Sequence, residues 1–325
     1  MSNTKPNLNS GMYLQVIGVG SARPLPDRHP SCQVLRIRDK VFLIDCGEGS
    51  QVELLKYRVP ISRMHRIFLS HLHGDHCLGL PGLLSTMSLI GFDHPVHIYG
   101  PKGTKYFVDR IVKFFCRNND TEKIIAHEID PKSGTVCVYD DNSVTVQAFE
   151  LKHTVSCIGY RFDEKALQPH LNREVAEYYG IPIAYFGKIK QGDDYVMPDG
   201  TVIPNERLTK ANREANSFAY CSDTEYSPQI IPFVQGVDLL YHEATFGESL
   251  ASQAHSRGHS TAIEAAMIAK QANVQQLLIG HYSTRYRTEK DIESLRQEAI
   301  TVFPNVVAGS EGLVIDISEI NKTNK

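Results

Sequence analysis

Three histidines and an aspartate fall within residues 71 to 76, inside the stretch "FLSHLHGDHCLGL" (68–80) and directly behind an apolar run. Groups that are costly to bury therefore stand at the end of what reads as a core strand. On a wet loop such a cluster needs no ligand, so the rest of the chain has to decide its purpose. His71 and His73 share a side by the period of two, and Gly74 permits a turn that swings Asp75 and His76 back toward them. Imidazole suits zinc, and carboxylate suits zinc or manganese. The histidine pair can then hold one ion, and Asp75 with His76 a second. Four side chains are too few for two closed shells. Further ligands must come from elsewhere, which constrains the fold.

Short β-branched runs alternate with helical patterns along the chain. "YLQVIGVG", "VLRI", "VFLIDCG", "RIFLSH", "VHIYG", "VCVY", "SVTVQAFEL", "FAYCSD", "VDLLYHEA", "QLLIGH" and "GLVIDI" read as strands. "SQVELLKYRV", "GLLSTMSLI", "TKYFVDRIVKFF", "STAIEAAMIAKQA" and "EKDIESLRQEAITVF" read as helices between them. This pattern predicts an α/β protein with mixed sheets covered by helices. His153 follows "VTVQAFEL", Asp223 follows "FAYCS" and His281 follows "QLLIG", each at a strand's C-terminal end. Taken singly, His153 or His281 reads as a structural or surface histidine. In a chain already carrying H-x-H-x-D-H, all three read as parts of one site. Asp223 is the most informative, because a carboxylate can bridge two ions about 3.5 to 4 Å apart, the spacing used for phosphoryl displacement. Cys221, two residues earlier, is read as a core side chain of the same strand.

A net charge of -3 argues against a uniformly basic nucleic-acid coat and leaves room for a local basic patch. The opening "MSNTKPNLNS" lacks an apolar signal core, and "CLGLPGLLSTMSLIGF" (77–92) is too short and too interrupted to span a bilayer. The latter predicts a buried helix. Seven scattered cysteines without a C-x-x-C pair suit reduced thiols, so a cytoplasmic protein without membrane association is expected. Residues 1–12 are expected as a disordered tail, 13–317 as the catalytic domain and 318–325 as a polar tail. Within the domain, about 163–213 is rich in charge, Tyr and Gly/Pro turns, and reads as an inserted arm.

The motifs together resemble the metallo-β-lactamase superfamily and, within it, the ribonuclease Z family of tRNA 3′-processing endonucleases. "FLIDCGEGSQVELLK" and "SHLHGDHCLGLPGLL" carry the resemblance, and "LKHTVSCIGYRF", "CSDT", "HEATF", "HST" and "HYSTRY" follow in the family's order. It implies a four-layered αββα metallo-β-lactamase sandwich with a projecting arm insertion. It also implies two Zn²⁺ per subunit, with Mn²⁺ as the other ion such donors take. His71, His73 and His153 would bind one ion and Asp75, His76 and His281 the other, with Asp223 bridging. The resemblance further implies a homodimer in which one subunit's arm reaches RNA bound at the other's site. Two segments depart from the family pattern. "PLPDRH" keeps Pro24 and Arg28 of a loop written P-x-K-x-R-N but lacks its Lys and Asn. "GIPIAYFGKIKQG" replaces the arm's usual glycine-proline turn.

Hydrolysis of an RNA phosphodiester needs a hydroxide at neutral pH, charge neutralisation at the phosphoryl oxygens and a proton for the departing 3′ oxygen. Two zinc ions would supply the first two. The resemblance makes His259, opening a helix in "RGHSTA", the proton donor, with Glu243 orienting and charging it. Asp75 can also accept the attacking water's proton. Arg285 is a phosphate-contact candidate, and Lys188 and Lys190 of the arm are candidates for binding precursor tRNA. The products would be a tRNA with a 3′-hydroxyl and a trailer with a 5′-phosphate. Two rivals are a superfamily hydrolase of small phosphodiesters, which would need no arm, and a non-catalytic RNA-binding module, which would not need every ligand.

Overall fold

The computed structural model describes residues 11–91, 94–117, 120, 122–132 and 134–323, so most of the expected N-terminal tail lies outside the described residues. Strands β1 (Met12–Gly18), β2 (Cys32–Ile37), β3 (Lys40–Ile44), β4 (Met64–Phe68), β5 (Val96–Gly100) and β6 (Ile124–Glu128) form most of one sheet. β7 (Thr135–Asp140), β8 (Val144–Leu151) and β9 (Cys157–Glu164) begin the second. β10 (His170–Leu171), β11 (Tyr195–Val196), β12 (Val202–Ile203) and β13 (Thr209–Lys210) make two short ladders in the inserted segment. β14 (Ser217–Cys221), β15 (Leu239–Glu243), β16 (Gln276–Gly280) and β17 (Val306–Ala308) complete the second sheet, and β18 (Val314–Asp316) returns to the first. The seven-stranded orders are β18-β1-β2-β3-β4-β5-β6 and β17-β16-β15-β14-β9-β8-β7.

The period of two sorts side chains between layers. In β2 and β3, Leu35, Ile37, Phe42 and Ile44 enter the core between the sheets, where Phe42 and Phe68 meet Phe162 of the second sheet. Their neighbours Val34, Val41 and Leu43 face the opposite way, into a second core with the helices Ser50–Lys56, Leu80–Ile90 and Thr104–Phe115. The helices Ala262–Gln271 and Glu289–Ile300 cover the far face of the other sheet through Ala265, Ala269 and Leu295. The result is the αββα sandwich. Full burial of a side chain such as Leu83 or Ile98 contributes about 1.5 to 3 kcal/mol, and the two cores hold dozens of such groups.

Several elements differ from the sequence reading. β6, β9 and β17 carry too little alternating pattern to be read in advance, and β9 contains Gly159, where a Cβ would meet the Phe149 ring at 2.4 Å. Leu80–Ile90 was expected to be buried, but only one face is. Leu80, Leu83, Leu84 and Met87 are covered while Leu89 and Ile90 are exposed, because the helix lies on the outside of a sheet. The expected polar C-terminal tail contains a helix, Ile317–Thr323, that buries Ile317 and Ile320 in the main core.

By contacts the chain divides into two compact units, the residues to Asp163 with those from Asn216, and Glu164–Ala215. The smaller unit has its own core of Ala176, Ile181, Ile189, Tyr195, Ile203 and Leu208. No helix among the described residues is long and apolar enough to cross a membrane.

Candidate metal centre

The polar side chains of the site stand where strands end. β3 runs into Asp45, β4 into the segment Ser70–His76, β8 into His153, β14 into Asp223 and β16 into His281, while Glu243 is the last residue of β15. Gly74–Cys77 is one helical turn that returns Asp75 and His76 toward His71 and His73. Gly74 is not among the residues with positive φ. A Cβ there would meet Leu78 Cδ1 at 2.8 Å, so this glycine provides room for a side chain and not conformational freedom.

Two sets of donors converge. Nε2 of His71 lies 3.0 Å from Nδ1 of His73, which lies 3.3 Å from Nε2 of His153. In the other set, Nε2 of His281 lies 3.2 Å from Nε2 of His76 and 3.4 Å from Oδ2 of Asp75. Asp223 divides its oxygens between them. Oδ2 is 3.6 Å from His71 and 3.7 Å from His153, and Oδ1 is 3.3 Å from His76 and 3.2 Å from His281. Cys221 belongs to the core and to neither set.

Hydrogen bonds on the far side of the rings dictate which nitrogens carry lone pairs inward. Nδ1–H of His76 donates to Asp45 (2.8 Å), that of His153 to the Gly258 carbonyl (2.7 Å) and that of His281 to the Thr245 hydroxyl (2.8 Å). Thr245 in turn donates to Glu243 (2.5 Å). Facing lone pairs repel unless a cation stands between them. Oδ1 of Asp223, buried, has no hydrogen-bond partner among the described residues. These donors therefore fit a divalent metal ion.

Charge follows the same logic. Burial opposes ionisation of Asp223, but His281, His76 and His71 hold it well below the usual carboxylate range. Burial and neighbouring imidazoles push His71 and His73 down and favour their neutral, coordinating form, whereas at His76 the carboxylates of Asp223, Asp45 and Asp75 outweigh burial and push it up, so a metal ion bound there displaces a proton. Asp45, Ala22 and His281 adopt left-handed φ of 56°, 65° and 60° without being glycine. Such backbone costs roughly 1 to 3 kcal/mol at each position and collects at functional sites. At Ala22 it directs the backbone N–H onto Oδ2 of Asp75 at 2.6 Å.

His259 lies two residues ahead of Thr261, the cap of the helix Ala262–Gln271, and so does not itself open the helix. Its Nδ1 is 2.8 Å from Oε1 of the fully buried Glu243, which also accepts the backbone N–H groups of Thr224 and Thr245. Burial works against the imidazolium, but Glu243 and then Asp223 outweigh it and push His259 up to about 9. His259, Asp75, His153 and Asp223 line one cleft of about 340 Å³, with Arg285 among the lining residues. Lys188 and Lys190 lie on the short helix Phe186–Lys190 of the smaller unit.

A ribonuclease Z of Porphyromonas gingivalis is 46% identical over 304 residues, which cover 94% of this chain and 98% of that protein. The chain belongs to the ribonuclease Z family. A ribonuclease Z of Bacteroides fragilis is 45% identical with the same coverage. The crystal structure of the short form of human tRNase Z matches with a TM-score of 0.65 at 26% identity, covering 94% of this chain and 99% of that one. A family profile described as Anti-Pycsar protein Apyc1 matches residues 12–156. Within this ribonuclease Z family member, the departing loop "PLPDRH" is tied down by its own residues. Arg28 donates to the Tyr286 carbonyl, and both the backbone N–H and the ring of His29 engage Glu311.

Sequence reading missed the residues behind the ligands. Asp45 accepts from Ser70 N–H (2.7 Å), the Ser70 hydroxyl (2.9 Å) and the Tyr220 hydroxyl (2.8 Å) as well as from His76. Its only local signal is an aspartate ending a strand before glycine, in "LIDCG". The roles of Thr245 and Ala22 depend on His281 and Asp75, 36 and 53 residues away, and no local pattern shows them.

Proposed function

We propose that this chain removes the 3′ trailer from precursor tRNA as a metal-dependent endoribonuclease, leaving a 3′-hydroxyl on the tRNA and a 5′-phosphate on the trailer. The observation that carries the reading is the division of Asp223 between two donor sets beside a histidine that is charged at neutral pH. His71, His73 and His153 would hold one ion, and Asp75, His76 and His281 the other, with Asp223 shared. Two Zn²⁺ suit these nitrogen and oxygen donors, and Mn²⁺ is the alternative. When bound, the metal ions supply activation of water at neutral pH and neutralise charge on the phosphoryl oxygens.

The chain's own residues do the rest. His259, charged and lining the cleft, gives a proton to the departing 3′ oxygen, while Glu243 keeps its ring oriented and its charge in place. Asp75, held ionised by His76 and His281 against the cost of burial, accepts the proton of the attacking water. Arg285 meets a substrate phosphate at the mouth of the cleft, and Lys188 and Lys190 bind tRNA phosphates on the inserted unit. A homodimer is supported by Leu89, Ile90, Phe114 and Phe115, exposed at the ends of two helices on one sheet face. Seven free cysteines suit the cytoplasm.

The test is incubation of purified protein with a precursor tRNA and with bis(p-nitrophenyl) phosphate, each with and without chelator. Chelator-sensitive cleavage at the tRNA 3′ end is expected. Cleavage of the small ester alone would turn the reading into a small-phosphodiester hydrolase.

A further inference from the structure

Arg257 has no part in the chemistry described so far. It follows the helix Ala251–Ser256, its side chain is exposed, and it lines the same cleft as His73, His153 and His259. Some arginines here are paired with a carboxylate, such as Arg161 with Asp163 at 2.9 Å and Arg296 with Glu293 at 2.8 Å. Among the described residues no carboxylate pairs with the Arg257 guanidinium. An exposed arginine without an ion pair at this cleft leaves its guanidinium available to an anionic group of a substrate that enters.

The backbone under Arg257 is fixed. Its N–H donates to the Ala254 carbonyl (3.1 Å), and the His259 N–H donates to the same carbonyl (2.9 Å). Between them Gly258 turns with φ of 72° and accepts from Nδ1 of His153 through its carbonyl (2.7 Å). A Cβ on Gly258 would stand 2.9 Å from that nitrogen, so this turn is pressed against a ligand of the first donor set. Arg285, four residues beyond His281, lines the same cleft.

We propose that Arg257 is a substrate-positioning residue that binds the phosphate next to the scissile one on the tRNA side. The assignment rests on the ribonuclease reading above, because the turn carrying Arg257 also carries the residue that protonates the oxygen leaving with the tRNA. The nucleotide seated at His259 is therefore the last one of the mature tRNA, and its own 5′-phosphate is the nearest free anion. Guanidinium can meet it with two parallel hydrogen bonds.

Arg257→Ala should leave metal content and hydrolysis of bis(p-nitrophenyl) phosphate at the parent's level, since that ester has no second phosphate. Its KM for precursor tRNA should rise roughly 10- to 100-fold with kcat nearly unchanged, as expected for loss of a charge-assisted pair. Arg257→Lys should recover part of the loss. The deciding substrate is a precursor tRNA with an uncharged methylphosphonate one linkage 5′ of the scissile bond. On it the parent's KM should rise to that of the variant, and Arg257→Ala should cost nothing more. A wild type active on precursor tRNA whose Arg257→Ala variant keeps the parent's KM overturns this proposal alone. So does a variant penalty that persists on the methylphosphonate substrate. A wild type that cleaves only the small ester overturns the ribonuclease reading, and the proposal with it.

Discussion

Oδ2 of Asp45 receives Nδ1–H of His76 at 2.8 Å, and the two residues, 31 positions apart, lie beyond the ends of two neighbouring strands, Asp45 directly after β3 and His76 on the helical turn that follows β4. Asp45 thereby decides which nitrogen of His76 is free to coordinate, and makes that nitrogen more basic. Asp45→Asn should keep the shape but weaken metal affinity about 10- to 100-fold, the usual cost of removing such a partner. Titration of the metal-free protein with zinc against a competing chelator measures this. An unchanged affinity would remove Asp45 from the site's design.

Asp223 serves both donor sets, so its loss should be felt by both. Asp223→Ala removes the shared carboxylate, leaves two cations to repel one another and should release metal as well as abolish activity. Elemental analysis of the purified variant is the measurement. Two tightly held metals per chain would sink the bridging assignment.

The role proposed for His259 separates proton transfer from coordination. His259→Ala should retain its metals and bind precursor tRNA normally, yet lose roughly 10²- to 10⁴-fold in kcat. Because Glu243 and Asp223 push His259 up to about 9 against the cost of burial, the donor is protonated below that pH and lost above it. The parent's kcat should therefore fall as pH rises through this region. In Glu243→Gln the supporting charge is gone, and the fall should move to lower pH. A collapse of metal content in His259→Ala would make this residue a ligand.

The inserted unit can be removed at a natural seam. Asp163 and Ser217 are register partners in the antiparallel pair of β9 and β14, so the chain on either side of Glu164–Ala215 is already adjacent. Replacing that unit by a short flexible linker should leave metal binding and hydrolysis of a small phosphodiester nearly intact. KM for precursor tRNA should rise steeply, since affinity for a large RNA comes from phosphate contacts away from the scissile bond. Lys188→Ala with Lys190→Ala should act in the same direction more mildly and with a shallower salt dependence. A folded, excised protein with the parent's KM would show that the unit is not the RNA handle.

How far the amino-acid sequence speaks depends on the distance over which each property is set. Alternating apolar residues in β1 to β5 and the 3.6-residue period of Thr104–Phe115 are local, and they determined the layers. The candidate donors that the structure brings together were equally legible, because His71, His73, Asp75 and His76 sit together and His153, Asp223 and His281 each follow an apolar strand. β6 and β17 escaped notice as weakly patterned edge strands whose existence depends on a neighbour.

The family resemblance implied how the donors divide, but only the tertiary structure turned each oxygen of Asp223 toward a different set. It also brought Asp45 to His76, Thr245 to His281 and the N–H of Ala22 to Asp75. Hydrogen bonds last only over about 3 Å and within narrow angles, so which groups satisfy them is settled by how the strand ends are brought together in the folded chain. A residue's type makes it capable of such a bond; the tertiary arrangement of the strand ends chooses its partner.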